Sequence, residues 1–164
     1  MNAAAPATVF ISPEPFDPDE EMRAFRRRYN AAGAIASFLG QVRSEAEGGA
    51  VTSLRLEHYP GFAERMIDDF VRQATTRWPL SGLRIVHRVG ALHPGDPIVL
   101  VAAAAAHRRA AFEAVDFLMD YLKTEAPFWK QEVTGASARW IEPRAGDYAD
   151  RGRWRTTTEK KRDK

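Results

Sequence analysis

An apolar run over residues 98–106 passes directly into a segment with helical periodicity that continues to Pro127. The apolar side chains of this segment recur three and four residues apart, so they form one stripe that must pack against a core. They are Phe112, Val115, Leu118, Met119 and Leu122. Because proline restricts the residue before it, the helix is expected to end at about Ala126. The segment is therefore predicted to be a packed amphipathic helix.

The run at residues 98–106 permits two interpretations. Its first half is β-like, whereas its five consecutive alanines favour helix. We interpret the run as a strand whose small side chains allow close packing against a helix or a second subunit. In the alternative, the alanines extend the following helix towards the N-terminus.

Basic side chains occur at both ends of the predicted helix. His107 and Arg108 lie where it begins, and the unpaired N–H groups and positive dipole end there favour an anion such as phosphate. Lys123 lies in the last turn, one step around the helix from the apolar stripe, and Lys130 follows the helix. Spacing alone favours solvated surface lysines, and the alternative is an anion-binding catalytic site.

The rest of the chain predicts helices separated by strands. Strands are expected at residues 8–11, 33–42, 51–59, 83–89 and 137–142, and helices at residues 17–29 and 62–78. Two signals mark the start of the first of these helices: Asp17 can cap it, and Pro18 suits its first position. Residues 44–50 contain Gly48 and Gly49 and predict a mobile loop, a candidate lid. These elements predict one α+β, or mixed α/β, domain over residues 1–154, followed by a basic, disordered tail over residues 155–164.

Several short motifs occur together in one order along the chain: Gly-Gln-Val-Arg at 40–43, Leu-Glu-His-Tyr at 56–59, His-Arg-Val-Gly at 87–90, His-Arg at 107–108, and the segment 122–130. Over residues 9–154 they resemble the MoaE family, the large, catalytic subunit of molybdopterin synthase. The resemblance implies an α/β hammerhead fold, with an antiparallel or mixed sheet flanked by helices. It also implies a homodimer flanked by two small subunits, which is a heterotetramer.

The resemblance implies sulfur transfer in molybdenum cofactor biosynthesis. A small ubiquitin-like subunit brings a C-terminal Gly-Gly thiocarboxylate, whose sulfur is transferred to cyclic pyranopterin monophosphate, and two transfers form the dithiolene. The implied substrate pocket contains Gln41, Val42, Arg43, His107, Arg108, Lys123, Lys130, Gln131 and Glu132, with Phe38 and Met119 as its apolar wall. Arg144 is implied to reach into the pocket of the neighbouring subunit.

Elementary chemistry agrees with these implied roles, because a cyclic phosphate and a thiocarboxylate repel each other in an uncharged pocket. Arginine suits bidentate phosphate binding, so we assign the phosphate to Arg43 and Arg108, with a further hydrogen bond from His107. A lysine crowded by other cations loses pKa and can act as an acid, base or nucleophile, the role we assign to Lys123. Lys130 is then the cation that stabilises developing negative charge. The two lysine roles can be exchanged.

The chain contains no cysteine. Disulfides, zinc thiolates, cysteine-held clusters and cysteine nucleophiles are therefore excluded, and a sulfur-transfer enzyme of this sequence must receive its sulfur from a partner. Absence of cysteine is compatible with a reducing cytoplasm, where we expect the protein. The first ten residues lack the features of a secretory signal, and no apolar segment is long enough to span a bilayer.

Two other classes of ligand are considered. His58, His87 and His93 suggest a metal, but no carboxylate or cysteine completes a ligand set at a familiar spacing, so we expect neither a metal nor a cofactor. The basic tail can bind nucleic acid, yet it has one nearby aromatic residue, Trp154, and no recognised nucleic-acid module. Two alternatives to the synthase remain: a non-catalytic scaffold that binds a ubiquitin-like tail, and a nucleic-acid binder that acts through the basic tail.

Overall fold

The computed structural model describes residues 6–155, and within them nine strands alternate with four helices. The strands are β1 (Ala7–Ser12), β2 (Ala34–Gln41), β3 (Glu45–Ala46), β4 (Gly49–His58), β5 (Leu80–Arg88), β6 (Gly90–Leu92), β7 (Pro97–Ala105), β8 (Phe128–Thr134) and β9 (Ser137–Ile141). The helices are α1 (Pro18–Arg28), α2 (Phe62–Arg77), α3 (Arg108–Thr124) and α4 (Ala145–Gly152). This mixture confirms the predicted α+β class.

The first sheet has the strand order β1-β5-β7-β2 and carries helices on both faces. Only β1 and β5 are parallel; the other neighbours are antiparallel. The alanines of β7 alternate between the faces: Ala103 and Ala105 contact the core under α2 and α3, and Ala102 and Ala104 contact Phe25 of α1. The strand interpretation of residues 98–106 is thus confirmed, and the alternative of a longer helix is wrong, because β7 pairs with a neighbour on each side.

The second sheet has the order β3-β4-β8-β9, with β6 beside β4. Strand β4 alternates as predicted: Leu54 and Leu56 are buried, whereas Arg55 and Glu57 are exposed. The two leucines pack with Val42, which follows β2, so the end of β2 in the first sheet is fixed against the second sheet. The place where the two sheets meet positions the cavity described below.

The prediction of a loop over residues 44–50 is wrong, because residues 45–46 form strand β3 and residues 49–50 begin β4, with a turn at residues 47–48 between them; a role as a lid stays a prediction. Gly49 has a φ of +107°, a backbone conformation that glycine adopts without strain. It closes a tight hairpin, in which Glu45 pairs with Ala50. The hairpin is tied to β9 by an ion pair of 3.4 Å between Glu47 and Arg139. The segment is therefore part of the second sheet.

At three positions the side chains are more exposed than the sequence pattern predicted. Phe112, placed in the apolar stripe of α3, is 64% exposed, whereas Val115, Leu118 and Leu122 of that stripe are buried together with Ala111, Ala114 and Phe117. The helix contacts β2, β7 and α2, so its buried face keeps most of the predicted stripe and is widened on the side of Ala114 and Phe117. Strand β2 is an edge strand, and Phe38 and Leu39 are exposed on it, so the expectation of a largely buried strand is wrong.

The helix boundaries follow the predicted signals. Asp17 caps α1, since its side chain accepts hydrogen bonds of 2.8 and 3.3 Å from the backbone N–H groups of Asp19 and Glu20. Helix α2 ends before Pro79, and α3 ends at Thr124. In the part of the chain from residue 6 to 155, no helix is long and apolar enough to cross a membrane. The predicted basic tail lies outside the described residues except for Arg155, so that division of the chain stays a prediction.

Candidate active site

A cavity of about 540 Å³ lies where the end of β2, the last turn of α3, strand β8 and the start of α4 come together. Seven of the residues predicted for the substrate pocket line it: Gln41, Val42, Arg43, Lys123, Lys130, Glu132 and Arg144. Residues from four separate segments thus converge on one space. A cavity of this size suits a ligand of small-molecule dimensions.

Two lysines face this cavity from successive elements. Lys123 lies in the last turn of α3, and after Pro127 the chain turns into β8, where Lys130 pairs with Leu56 of β4. The chain has five lysines, and the two that fall within residues 6–155 both line the cavity. Elsewhere in this part of the protein the positive charges are arginines, so the lysines are restricted to this place.

Lys123 is held by an acidic residue of α4. Its Nζ lies 2.9 Å from Oδ1 of Asp147, whose side chain is only 14% exposed. Oδ2 of Asp147 accepts a hydrogen bond of 2.7 Å from the backbone N–H of Arg144. Burial raises the pKa of Asp147, but the hydrogen bonds from Lys123 and from the Arg144 backbone outweigh it, so the pKa lies below its usual value. Asp147 therefore carries a negative charge that faces Lys123.

Lys130 is in the opposite electrostatic situation. Burial lowers its pKa below the usual value of 10.5, and the nearby charge of Lys123 lowers it further, whereas Asp147 raises it. Among the described residues, no carboxylate forms an ion pair with Lys130. A larger fraction of Lys130 is therefore neutral than of an ordinary lysine. We assigned the lowered pKa to Lys123 from the sequence, and the structure gives it to Lys130.

The wall behind Lys130 is uncharged. The ring of His87 stacks on Phe128, with centroids 3.9 Å apart and planes 4° from parallel. His87 Nδ1–H donates a hydrogen bond of 2.8 Å to the carbonyl oxygen of Arg88. Burial, with a contribution from the charge of Lys130, lowers the pKa of His87 to about 3. His87 is therefore a neutral residue that packs against Phe128, which lines the cavity.

Glu132 connects two arginines at the rim. Its side chain is 4% exposed, and its Oε2 lies 3.9 Å from Arg43 Nε. Its Oε1 accepts a hydrogen bond of 3.4 Å from Arg139. Because Arg43 is 55% exposed, one side of its guanidinium is held while the rest remains open to the cavity. Such an anchored guanidinium is suited to bind an anion.

The comparison with known proteins decides the family. The family model described as "MoaE protein" matches residues 11–125. The chain belongs to the MoaE family.

Two relatives named "Molybdopterin synthase catalytic subunit" illustrate the similarity. The protein from Caulobacter vibrioides is 50% identical over 146 residues, which are 89% of this chain and 96% of the relative. The one from Escherichia coli is 45% identical over 150 residues, 92% of this chain and 99% of the relative. A solved structure, the molybdopterin biosynthesis MoaE protein from Burkholderia ambifaria, superposes with a TM-score of 0.76 at 45% identity, covering 90% of this chain and 97% of that one.

Some residues implied by the MoaE resemblance are not in this cavity. His107 occupies the N-cap position of α3 without a side-chain capping hydrogen bond, and Arg108 is the first residue of the helix, 15 residues before Lys123. At 1.5 Å per residue that distance is roughly 22 Å. Within one protomer, His107 and Arg108 therefore lie outside this cavity, and their place in the substrate pocket stays a prediction. Arg144, expected to enter a neighbouring subunit's pocket, lines the cavity of its own protomer.

The predicted apolar wall is also different. Phe38 and Met119 do not line the cavity, and neither does Gln131. Successive side chains of a strand point to opposite faces, so Gln131 faces away from the side shared by Lys130 and Glu132. The apolar lining includes Leu54, Ile98, Ala126, Pro127, Phe128 and Ile141.

Sequence reasoning missed Asp147 because it missed helix α4. The helix has only eight residues, two of them glycines, and none is buried, so it has no apolar periodicity. Its signal was local: Asp147 stands three residues after Arg144 and accepts a hydrogen bond from the backbone N–H of that cap residue. A carboxylate at this position is a familiar feature of helix N-termini.

Proposed function

We propose that this protein is the catalytic subunit of a molybdopterin synthase. It transfers sulfur from the C-terminal thiocarboxylate of a small ubiquitin-like subunit to cyclic pyranopterin monophosphate. The observation that carries the proposal is the convergence of Lys123, Lys130, Arg43 and Arg144 on one cavity. The names of relatives that align over nearly their whole length support the same reaction.

Charge in the cavity supports two anionic guests. Four carboxylates also line it, but three of them are engaged: Asp147 with Lys123, Glu132 with two arginines, and Glu125 with Arg151. Among residues 6–155, neither Lys130 nor Arg144 has an ion-pair partner. These two cations, together with the open side of Arg43, can bind a phosphate and a thiocarboxylate without displacing an internal contact.

We assign the two lysines to different tasks. Lys130, whose pKa is lowered by burial and by Lys123, releases its proton more readily than an ordinary lysine, so we assign it the proton transfer. Lys123, held by Asp147, stabilises negative charge that develops on the reacting groups. This division exchanges the roles that we gave the two lysines from the sequence.

We propose that the protein acts as a homodimer within a heterotetramer that contains two small subunits. Support comes from exposed apolar side chains on the edge strand β2 and on α3, namely Phe38, Leu39 and Phe112. If His107 and Arg108 bind the substrate phosphate, they must come from a second copy, because α3 holds them roughly 22 Å from their own cavity. We place the reaction in the cytoplasm, with which a chain lacking cysteine is compatible.

The test combines purified protein, thiocarboxylated small subunit and cyclic pyranopterin monophosphate, with the product analysed by mass spectrometry. We expect a product that carries two new sulfur atoms. The matched control uses the same small subunit with an ordinary carboxylate terminus, which should give no product. Absence of sulfur from the product with the thiocarboxylated subunit contradicts the proposal.

The scaffold alternative is separated by a variant. If the protein only binds the tail of the small subunit, Lys130→Ala changes neither sulfur transfer nor the binding of the small subunit. In the synthase, Lys130→Ala abolishes sulfur transfer while the small subunit still binds. The nucleic-acid alternative predicts that deletion of residues 155–164 abolishes function, whereas the synthase should retain it.

A further inference from the structure

The two carboxylate oxygens of Asp147 contact different parts of the protein. Oδ1 lies 2.9 Å from Lys123 Nζ at the end of α3, and Oδ2 accepts the Arg144 backbone N–H at the start of α4. Asp147 is 14% exposed, against 51% for Lys123. A largely buried carboxylate thus holds a lysine that would otherwise move freely in solvent.

Helix α4 does not depend on Asp147 alone for its position. None of its eight residues is buried, and it is held by charged contacts with α3. Arg151 pairs with Glu125, and Arg153, which caps the end of α4, pairs with Asp120 at 2.9 Å. Removing the charge of Asp147 should therefore leave α4 in place. The effect of Asp147 on Lys123 can be separated from its effect on folding.

We propose that Asp147 is a positioning residue, whose carboxylate fixes Lys123 Nζ on the α4 side of the cavity. This inference rests on the proposed sulfur transfer. A lysine is a point charge on a flexible stem of four carbons, and restricting it costs conformational entropy. A cation that is already held in place stabilises developing charge without reorganising during the reaction.

The pairing also determines how Lys130 responds to pH. The other charged or titratable groups that line or back the cavity are Arg43, Glu125, Glu132, Glu142, Arg144, Tyr148 and His87. Asp147 raises the pKa of Lys130, and Lys123 lowers it. Loss of the Asp147 charge should therefore lower the Lys130 pKa, and loss of the Lys123 charge should raise it.

The first test compares Asp147→Asn with Asp150→Asn. Asparagine keeps an oxygen that can accept the Arg144 N–H, so α4 stays capped, while an amide replaces the charge that faces Lys123. Asp150 is exposed on the same helix, and its substitution gives the same change in net charge. We expect kcat of Asp147→Asn to fall by about ten- to a hundredfold with KM little changed, and Asp150→Asn to match the unmodified protein.

The second test needs no substrate. The five lysines are converted to ¹³C-dimethyl-lysine, which still carries a positive charge when protonated, and their NMR signals are followed against pH. We expect the titration midpoint of Lys130 to move to lower pH in Asp147→Asn and to higher pH in Lys123→Met. Asp150→Asn should leave it unchanged. A Lys130 midpoint that is the same in all four proteins overturns the inference.

A double-mutant cycle tests whether Asp147 acts through Lys123. In a Lys123→Ala background, Asp147→Asn should cause no further loss of kcat. A further loss as large as in the native background, or full activity of Asp147→Asn alone, overturns the inference. If the unmodified protein forms no sulfur-containing product, the proposed function fails, and the NMR titration still tests the contacts of Asp147.

Discussion

Replacing Glu132 by glutamine removes a buried negative charge and keeps the size of the side chain. The carboxylate lies 3.9 Å from Arg43 and 3.4 Å from Arg139. At an effective dielectric constant of about 20, these attractions amount to about 4 and 5 kcal/mol. Burial of the charge offsets much of this sum, and both arginines, which are half exposed, regain water when released. We expect Glu132→Gln to lower the free energy of unfolding by about 1.5–3 kcal/mol, the range of hydrogen bonds to charged groups.

The matched control is Glu57→Gln on β4. Glu57 lies only 2.9 Å from Arg55, closer than either partner of Glu132, but the two side chains are 49% and 63% exposed. We expect this substitution to cost less than about 1 kcal/mol, because exposed ion pairs contribute little. For a chain of this length, the Glu132 variant should lose about 6 °C in Tm, measured by calorimetry with urea unfolding as a second assay.

Activity gives an independent reading of the same contact. Arg43 loses its anchor in Glu132→Gln, so KM for the pterin substrate should rise by about tenfold, whereas Glu57→Gln should leave it unchanged. Equal losses of stability in the two variants would refute the reasoning, because burial of the carboxylate would then make no difference to the free energy of unfolding.

Three further predictions concern single residues. The pKa of Lys130 is lowered in the folded state, so the unfolded state binds more protons as the pH approaches 10.5. The free energy of unfolding, measured relative to Lys130→Met by urea titrations between pH 7 and 10, should therefore rise with pH. Gly33→Ala places a Cβ 2.2 Å from the backbone oxygen of Ala106, which cannot move without disturbing β7. We therefore expect the free energy of unfolding to fall by more than about 3 kcal/mol in the same assay. A fall of less than about 1 kcal/mol would be incompatible with this packing. Asp17→Ala removes the cap of α1 and should cost about 1 kcal/mol, with Asp17→Asn close to the unmodified protein.

Local signals predicted much of the fold. Asp17 and Pro18 fixed the start of α1, and Pro79 marked the end of α2, because caps and prolines act on their immediate neighbours. Alternation of Leu54 and Leu56 with charged residues predicted β4. The hairpin at residues 44–50 was missed because a glycine pair permits both a mobile loop and a tight turn, and only pairing across strands decides between them.

The site was predicted in part, from motif resemblance and not from local folding signals. Motif resemblance identified Arg43, Lys123, Lys130 and Glu132, which the fold brings to one cavity. It could not assign the lowered pKa, because the burial of Lys130 depends on the pairing of β8 with β4, which is distant in sequence. Nor could it show that His107 is separated from Lys123 by the whole length of a rigid helix.

The alanine strand β7 acts as a spacer between layers. With Ala103 and Ala105 facing α3 and Ala102 and Ala104 facing α1, both helices approach the sheet as closely as a single methyl group allows. A larger side chain on the α3 face would lift the helix from the sheet and, because a helix moves as a rigid rod, would displace Lys123 at its far end. The thickness of the interior, and not only the residues that surround the cavity, therefore sets the geometry in which Lys123 meets its guests.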